Sequence, residues 1–350
     1  MRDVAASPYA LNGAASSGLP ITYSVFPADV CTLSGNSIVA HEIGYCSIWA
    51  SQNGDSEYEY AAPVYTSLFL MGTAPGAKAR LVNLSARARV GKGDDALIGG
   101  FIIDGPTCSN VEWQDGPYKA VMTRARGPSL VTAQVSGTLD DPTLELRGRY
   151  MWAENDNWQQ YASPAFNDFV ASTGFALSDP RESMVYASAC TGATTAIVRG
   201  ASQGEGVGIV DIFEMSAAPL PFRNLSARAR VGTGEDVLIA GFVIRGEGTR
   251  RIVVNAAGAS LANYGVPGAL ANPTLTLVRM SDNTVIGFND DWQIQANAGD
   301  VAAIQATGLQ PNHPNEPAII ADLPAGAYTA IVAGAQNTTG VALVGVFAVP

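Results

Sequence analysis

The chain has 350 residues, of which 47% are hydrophobic and only 15% charged, and its formal net charge is −11. This length predicts about two or three domains, each large enough to bury its own core. The negative charge disfavours a polyanionic partner, so nucleic acid is excluded as an expected ligand. No apolar run reaches the length of a membrane-spanning helix. The 37 glycines and 20 prolines favour turn-rich β structure over helices.

Residues 1–72 are predicted to form a small β-sandwich of their own. Strand-like segments alternate there with turn signals, as in "CTLSG" followed by "NSIVAHE". Residues 1–17 contain no apolar core of the signal-peptide type, and we interpret this start as that of a trimmed or incomplete sequence. Cys31 and Cys46 fall on neighbouring predicted strands, where a cross-strand contact is feasible.

Three segments of this region resemble bacterial immunoglobulin-like modules of surface proteins. They read "ASSGLPITYSV" (15–25), "VCTLSGNSIV" (30–39) and "GYCSIWASQNGDSEYEYAAP" (44–63). The resemblance covers most of the region. It implies an Ig-like sandwich in which Cys31 and Cys46 form a disulfide within one module.

The rest of the chain is an internal duplication. The nonapeptide "NLSARARVG" occurs at 83–91 and again at 224–232, and similarity continues from there almost to the end of each copy. The first copy contains a ten-residue insertion near 106–118. A repeated unit of this length has the size of a domain rather than of a solenoid repeat. We therefore predict two β-sandwich repeats, at 73–217 and 218–350.

The strand signals of each repeat are clearest in the nonapeptide. Its "ARARV" segment alternates small and long side chains, which places two arginines on one face of a strand. These are Arg87 and Arg89 in the first copy and Arg228 and Arg230 in the second. We interpret them as structural residues whose stems cover apolar surface while their guanidinium groups pair with carboxylates. The best helical candidates are short segments at 164–174 and 298–308.

Several motifs of the repeats resemble a β-sandwich module that recurs in bacterial secreted proteins. They include "NLSAR", "GTGEDVLIAGF", "ARGPSL", "DPTL", "NDNW" and "NDDW". The tail, "AGAYTAIVAG", also resembles the pre-peptidase C-terminal jelly-roll domain. The resemblance covers nearly all of 80–215 and 222–348. It implies an all-β chain of tandem β-sandwich domains, Ig-like and then jelly-roll, and says little about activity.

The four cysteines allow three full pairings. Cys108 lies in the insertion, and Cys190 has Pro324 as its counterpart in the second copy. Both belong only to the first copy, which suggests that they bond to each other. Two disulfides favour an oxidising compartment, so we predict a secreted, extracellular protein rather than a cytosolic one. A metal site is the alternative, but the chain has no CxxC motif and its only histidines are His41 and His313.

The sequences "NDNW" and "NDDW" recur at equivalent places in the two repeats. One interpretation is a turn in which Asn and Asp side chains bond to the backbone while Trp158 or Trp292 packs beneath. The alternative is a calcium site with Asp156, Asp290 and Asp291 as its first ligands. No EF-hand spacing supports calcium, so we prefer the structural turn and expect no other cofactor.

The sequence contains no recognisable catalytic set. His41 and His313 lie in different predicted domains, and neither has a serine or cysteine partner at motif spacing. Glu182 and Glu316 occupy equivalent positions in separate repeats, so they do not form a facing pair of carboxylates. We therefore predict that the protein is not an enzyme.

These features predict an extracellular structural protein, namely a bacterial surface fibre subunit. Strand-like sequence stands at both ends of the chain, and such ends can pair with an open sheet edge of another copy. The expected partner is the protein itself, through its terminal strands, or another surface protein. The alternative is an adhesive or polysaccharide-binding accessory module of a larger secreted protein. A solvent-facing group formed by Trp113, Tyr118, Tyr150 and Trp152 would favour that alternative.

Overall fold

The computed structural model describes residues 2–71, 76–108, 118–160, 164–216 and 220–349. Strands predominate, which confirms the predicted all-β class. The strands are β1 (Arg2–Asp3), β2 (Tyr9–Ala10), β3 (Thr22–Phe26), β4 (Cys31–Ser34), β5 (Ser37–Ala40), β6 (Gly44–Gln52), β7 (Ala61–Met71), β8 (Arg80–Val90), β9 (Leu97–Ile103), β10 (Tyr118–Arg126), β11 (Pro142–Gly148), β12 (Met151–Asn155), β13 (Ser183–Cys190), β14 (Gly192–Gly200), β15 (Gly206–Glu214), β16 (Phe222–Val231), β17 (Leu238–Ala257), β18 (Pro273–Arg279), β19 (Thr284–Asn289), β20 (Ala318–Gly334) and β21 (Gly340–Ala348).

Two α-helices lie where the sequence predicts them, α1 at Pro164–Thr173 and α2 at Asp300–Thr307. Each ends on a threonine whose hydroxyl donates to the carbonyl three residues earlier, 2.7 Å for Thr173 and 2.6 Å for Thr307. Gly174 and Gly308 follow with φ of 72° and 71°, a conformation that glycine adopts without steric cost. No helix among the described residues is long and apolar enough to cross a lipid bilayer.

Short 3₁₀ helices complete the regular structure. They lie at Val4–Ala6, Gly93–Asp95, Pro128–Ala133, Trp158–Gln160, Ala201–Gln203, Ala259–Tyr264 and Ala335–Asn337.

The chain forms two compact units. The first consists of Met1–Ala77, Ala165–Ala176 and Met215–Pro219, and the second of Lys78–Pro164, Leu177–Glu214 and Leu220–Pro350. The predicted boundaries at 72/73 and 217/218 follow the repeats in the sequence. Most of both repeats lies within the second compact unit.

The first unit is built from two small sheets with a shared core. One sheet has the strand order β1-β7-β6-β3, and the other has β2-β5-β4. The expected disulfide between Cys31 on β4 and Cys46 on β6 is present, and it joins the two sheets; both cysteines are fully buried. Ile38 and Leu70 pack in the same cluster. The disulfide therefore supports a core that is small for its surface.

In the second unit, the strands of each repeat fall into two paired groups. The first repeat pairs β12-β11-β14-β9 and β8-β15-β10-β13. The second repeat pairs β19-β18-β20-β17 and β16-β21-β17-β20 in the same way. The long strands β17 and β20 take part in both groups, because each corresponds to two successive strands of the first repeat. The disulfide between Cys108 and Cys190, also predicted, belongs to the first repeat alone.

The two repeats are joined by reciprocal strand pairing. Strand β9 of the first repeat pairs with β16 of the second, with Gly99 opposite Ala227. In return, β8 of the first repeat pairs with β17 of the second, with Ala86 opposite Ala240. Arg89 and Arg230 lie opposite each other where β8 meets β16. The first strand of each repeat thus pairs with the second strand of the other.

This pairing accounts for the duplicated nonapeptide. In each copy it forms a strand with ladders on both edges, one within its own repeat and one to the other repeat. Its alanines are buried, and its arginines are half-buried or exposed on the other face. Arg230 lies 3.9 Å from Asp95 of the first repeat, and Arg89 lies 4.0 Å from Glu205. At these distances and exposures the ion pairs add little stability, so the backbone ladders dominate.

We predict that the isolated second repeat, residues 220–349, forms a homodimer. Removing the first repeat exposes the edges of β16 and β17, and two copies can restore the lost ladders by pairing reciprocally. Light scattering after size exclusion should give twice the mass of one repeat, with a β-type circular dichroism spectrum. A folded, stable monomer at the same concentration would contradict the reciprocal pairing.

Candidate functional site

A buried glutamate holds two turns together in each repeat. The Oε1 atom of Glu182 accepts hydrogen bonds from the backbone N–H groups of Gly127 and Ser129, both at 3.1 Å. Its backbone carbonyl accepts the N–H of Trp158 at 2.9 Å. Glu182 is fully buried, and its Oε2 atom has no hydrogen-bond partner among the described residues. One carboxylate therefore caps a 3₁₀ helix while the same residue anchors the "NDNW" turn.

Glu316 repeats this arrangement in the second copy. Its Oε1 atom accepts from Gly258 N at 2.7 Å and from Ser260 N at 2.8 Å, and its carbonyl accepts from Trp292 N at 3.0 Å. A Cβ atom on Gly258 would lie 2.3 Å from the carbonyl oxygen of Leu270, so only glycine fits there. The sequence shows that Glu182 and Glu316 occupy equivalent positions. Only the structure shows the hydrogen bonds that explain why both positions carry a glutamate.

The asparagine of each "NDxW" turn makes the structural bonds. Asn155 accepts the N–H of Met184 at 2.8 Å, and Asn289 accepts the N–H of Ala318 at 3.0 Å. Each asparagine also donates to the carbonyl two residues later, at 3.2 Å and 3.1 Å. Trp158 and Trp292 are both 6% exposed. The turns are thus held by amide side chains and packed indoles.

The three aspartates proposed as calcium ligands lie beside these turns. Asp156 is exposed, whereas Asp290 and Asp291 are half-buried. Burial raises the pKa of Asp290, and the neighbouring charge of Asp291 raises it further. No group of three or more His, Cys, Asp or Glu side chains suited to a metal ion occurs within the described ranges. Calcium binding stays an untested alternative to the structural turn.

A second cluster of buried charges occurs only in the first repeat. Asp211 is fully buried and accepts from Arg124 at 2.8 Å, from Arg126 at 2.9 Å and from Ser85 at 2.6 Å. Lys119, also fully buried, donates to Glu214. Each charge in this cluster is met by an opposite charge on the neighbouring strand. These groups hold β8, β10 and β15 in register.

The aromatic residues singled out in the sequence meet at a cavity of the first repeat. Its volume is about 650 Å³. It is lined by Tyr118, Gly148, Arg149, Tyr150, Met151, Trp152, Ala187, Ser188, Cys190 and Thr194. Trp152 is 63% and Tyr150 43% exposed. The fourth predicted aromatic, Trp113, lies outside the described residues. The structure therefore brings three of the four together at the end of the β11–β12 hairpin.

The orientation of two cavity residues is fixed by polar contacts. The Trp152 indole N–H donates to Oε1 of Glu145 at 3.0 Å, and the Arg149 guanidinium lies 5.9 Å from the centre of the Tyr150 ring. Hydrogen bonds from Arg147 and then Trp152 lower the pKa of Glu145, which keeps this acceptor ionised. The indole face is thereby held in place while remaining accessible to solvent.

Comparisons with known proteins give little further information. No protein-family model matches the chain, and no curated protein matches it. Among solved structures, the crystal structure of the major capsid protein P2 from bacteriophage PM2 matches with a TM-score of 0.18 and 10% identity. That match covers 78% of this chain and 98% of the other. A likeness of this size carries no information on function.

The buried glutamates give a test of their structural role. Replacing Glu316 by alanine leaves the N–H groups of Gly258 and Ser260 buried without their acceptor. We expect a loss of about 3 kcal/mol in the free energy of unfolding, measured with urea. Glu182→Ala should cause a similar loss, because it breaks the equivalent bonds.

The matched control is Glu205→Ala, which removes only solvent-exposed ion pairs. It should change the free energy of unfolding by less than about 1 kcal/mol. Equal effects of the control and the two buried variants would show that the buried carboxylates do not hold the turns.

Proposed function

We propose that the protein is a non-catalytic, extracellular structural protein of a bacterial surface, whose copies associate through exposed edge strands. The observation that carries this proposal is a pair of equivalent edge strands, β12 and β19, that both bear exposed apolar side chains. The two disulfides are compatible with an oxidising, extracellular environment. Secretion itself is part of the proposal.

We further propose that the two repeats form one two-layered β-sandwich. Following the ladders gives two paths of eight strands, each with four strands from either repeat. A Cβ atom on Gly99 of β9 would lie 3.2 Å from side-chain atoms of Val210 and Ile212 on β15. Because β9 and β15 belong to different paths, this contact supports face-to-face packing of the two layers.

The two edge strands have the properties of association sites. Among the described strands, β12 pairs only with β11, and β19 pairs only with β18. Trp152 on β12 is 63% exposed, and on β19 Val285 is 58% and Phe288 63% exposed. An edge strand offers unpaired backbone groups, and apolar side chains beside them favour pairing with another chain.

The C-terminal strand is less accessible for this purpose. The C-terminal strand β21 pairs with β16 on one side and β17 on the other. Exchange of β21 between copies would first break two ladders, whereas pairing at β12 and β19 breaks none. We therefore propose that β19 of one copy meets β12 of the next. Such a contact joins different surfaces, does not close on itself and gives an open chain of copies.

A second candidate function, carbohydrate binding, is favoured by a specific observation. Tyr150 and Trp152 are exposed to solvent and line one cavity together with Tyr118. Aromatic rings with accessible faces offer large, rigid contact area to the apolar faces of sugar rings. Trp152 belongs to both candidate sites, because it lies on edge strand β12 and also lines the cavity.

The edge contact predicts that the double variant Val285→Lys, Phe288→Lys will not assemble. Two charges on β19 oppose pairing with another strand while leaving the ladder to β18 intact. Sedimentation and negative-stain images should show assemblies for the unaltered protein and single copies for the variant.

Tyr264→Lys serves as the control, because Tyr264 is more exposed than Val285 or Phe288 but lies on a 3₁₀ helix rather than on an edge strand. It should assemble normally. Assembly that survives the double change, or an unaltered protein that stays monomeric at high concentration, would refute the edge contact.

A further inference from the structure

We propose that the cavity of the first repeat binds an acidic oligosaccharide, with sugar rings stacked on Tyr118, Tyr150 and Trp152 and a sugar carboxylate paired with Arg149. This inference rests on the second proposed function, carbohydrate binding, and adds the site and the ligand class. It does not depend on assembly through the edge strands.

The lining of the cavity differs between the two repeats at residues 190 and 194. Thr194 lines it in the first repeat, and the equivalent residue in the second repeat is Tyr328. The side chain of Tyr328 is buried, stacks on Phe242 at 5.5 Å and donates to the carbonyl of Pro324 at 2.9 Å. Pro324 is the counterpart of Cys190, another cavity residue. The second repeat thus has a buried tyrosine at the position where the first repeat has a cavity-lining threonine.

The open space has the size and lining of a ligand site. Its volume of about 650 Å³ falls within the usual range for small-molecule sites, about 300–1,000 Å³. Hydroxyl groups of Tyr118, Tyr150, Ser188 and Thr194 accompany the aromatic rings in its lining. Rings that stack and hydroxyls that both donate and accept are the groups that recognise a pyranose.

The charge of the cavity selects an acidic sugar. Arg149 is the cation among the described residues of the lining, and none of these residues is an Asp or Glu. Within the described part of the chain no Asp or Glu forms an ion pair with Arg149, whereas Arg147 two residues earlier pairs with Glu145. The chain as a whole carries a net charge of −11, so an acidic ligand is repelled elsewhere on the surface. An exposed guanidinium beside stacking rings favours a carboxylate at this place.

A groove next to the cavity is lined in part by acidic residues. It is lined by Glu145, Glu154 and Asp156, with Arg199 as its cation. Arg199 lies 3.3 Å from Glu145 and is therefore already paired. The two depressions share the β11–β12 hairpin but differ in sign, so an acidic chain that follows the hairpin is directed to the cavity with Arg149.

The test is calorimetric titration of the full chain with oligogalacturonate and, separately, with its methyl ester. The two probes have the same rings, and only the first carries carboxylates. We expect the acid to bind and the ester to bind at least about tenfold more weakly. Arg149→Gln should weaken binding of the acid to the level of the ester. Thr194→Tyr should abolish binding of both probes, because it rebuilds the filled site of the second repeat.

The control variant is Phe288→Ala, which removes an exposed aromatic residue from the hairpin of the second repeat. It should bind the acid like the unaltered protein, whether or not it assembles. Thermal unfolding checks that each variant is folded, and the comparison of acid with ester remains decisive if Thr194→Tyr does not fold.

Three results would overturn the proposal: equal affinity for acid and ester, undiminished binding by folded Thr194→Tyr, or no binding of oligogalacturonate or of oligomers of mannuronate and guluronate. None of them bears on the edge contact, which is measured by assembly of the double variant on β19.

Discussion

The structure depends on the reciprocal backbone pairing of the duplicated nonapeptide. A strand with ladders on both edges must satisfy donors and acceptors on two sides at once, and each copy does so with one partner in its own repeat and one in the other. Ala86 and Ala227 lie at the centre of these ladders and are buried, so a larger side chain has no room. Because the two copies of the nonapeptide make the same contacts, their sequences have little freedom to differ.

The same pairing determines which strands stay open. The first two strands of each repeat pair with strands of the other repeat, so their edges are not available to another chain. The C-terminal strand lies between β16 and β17. Among the described strands of this unit, β12, β13 and β19 each pair with a single neighbour, and β12 and β19 occupy equivalent positions in the two repeats. A duplication joined in this way has two equivalent edges on one chain, which is the requirement for an open assembly.

Sequence patterns predict the parts of this structure that are local. The "ARARV" alternation, the two short helices and the Cys108–Cys190 pair follow from side-chain period, turn signals and the comparison of the copies, whereas the resemblance to Ig-like modules implied the Cys31–Cys46 pair. The pairing between the repeats could not be predicted. The alternation of side chains along a strand shows which residues share a face of the sheet, but it does not show which strand pairs with which edge. The cavity was equally hidden, because its cause is a threonine at 194, an ordinary strand residue with no motif around it.

Comparison of the two copies distinguishes residues that the fold requires from residues that are available for binding a ligand. Glu182 and Glu316 make the same bonds, as do Asn155 and Asn289, so these residues serve what both repeats require. Thr194 and Tyr328 occupy equivalent positions but differ, and the smaller residue lines a cavity together with Cys190 of the first repeat's own disulfide. An unfilled cavity weakens packing, so the cavity in the first repeat calls for an explanation. We therefore place ligand binding there rather than at the turns that the repeats share.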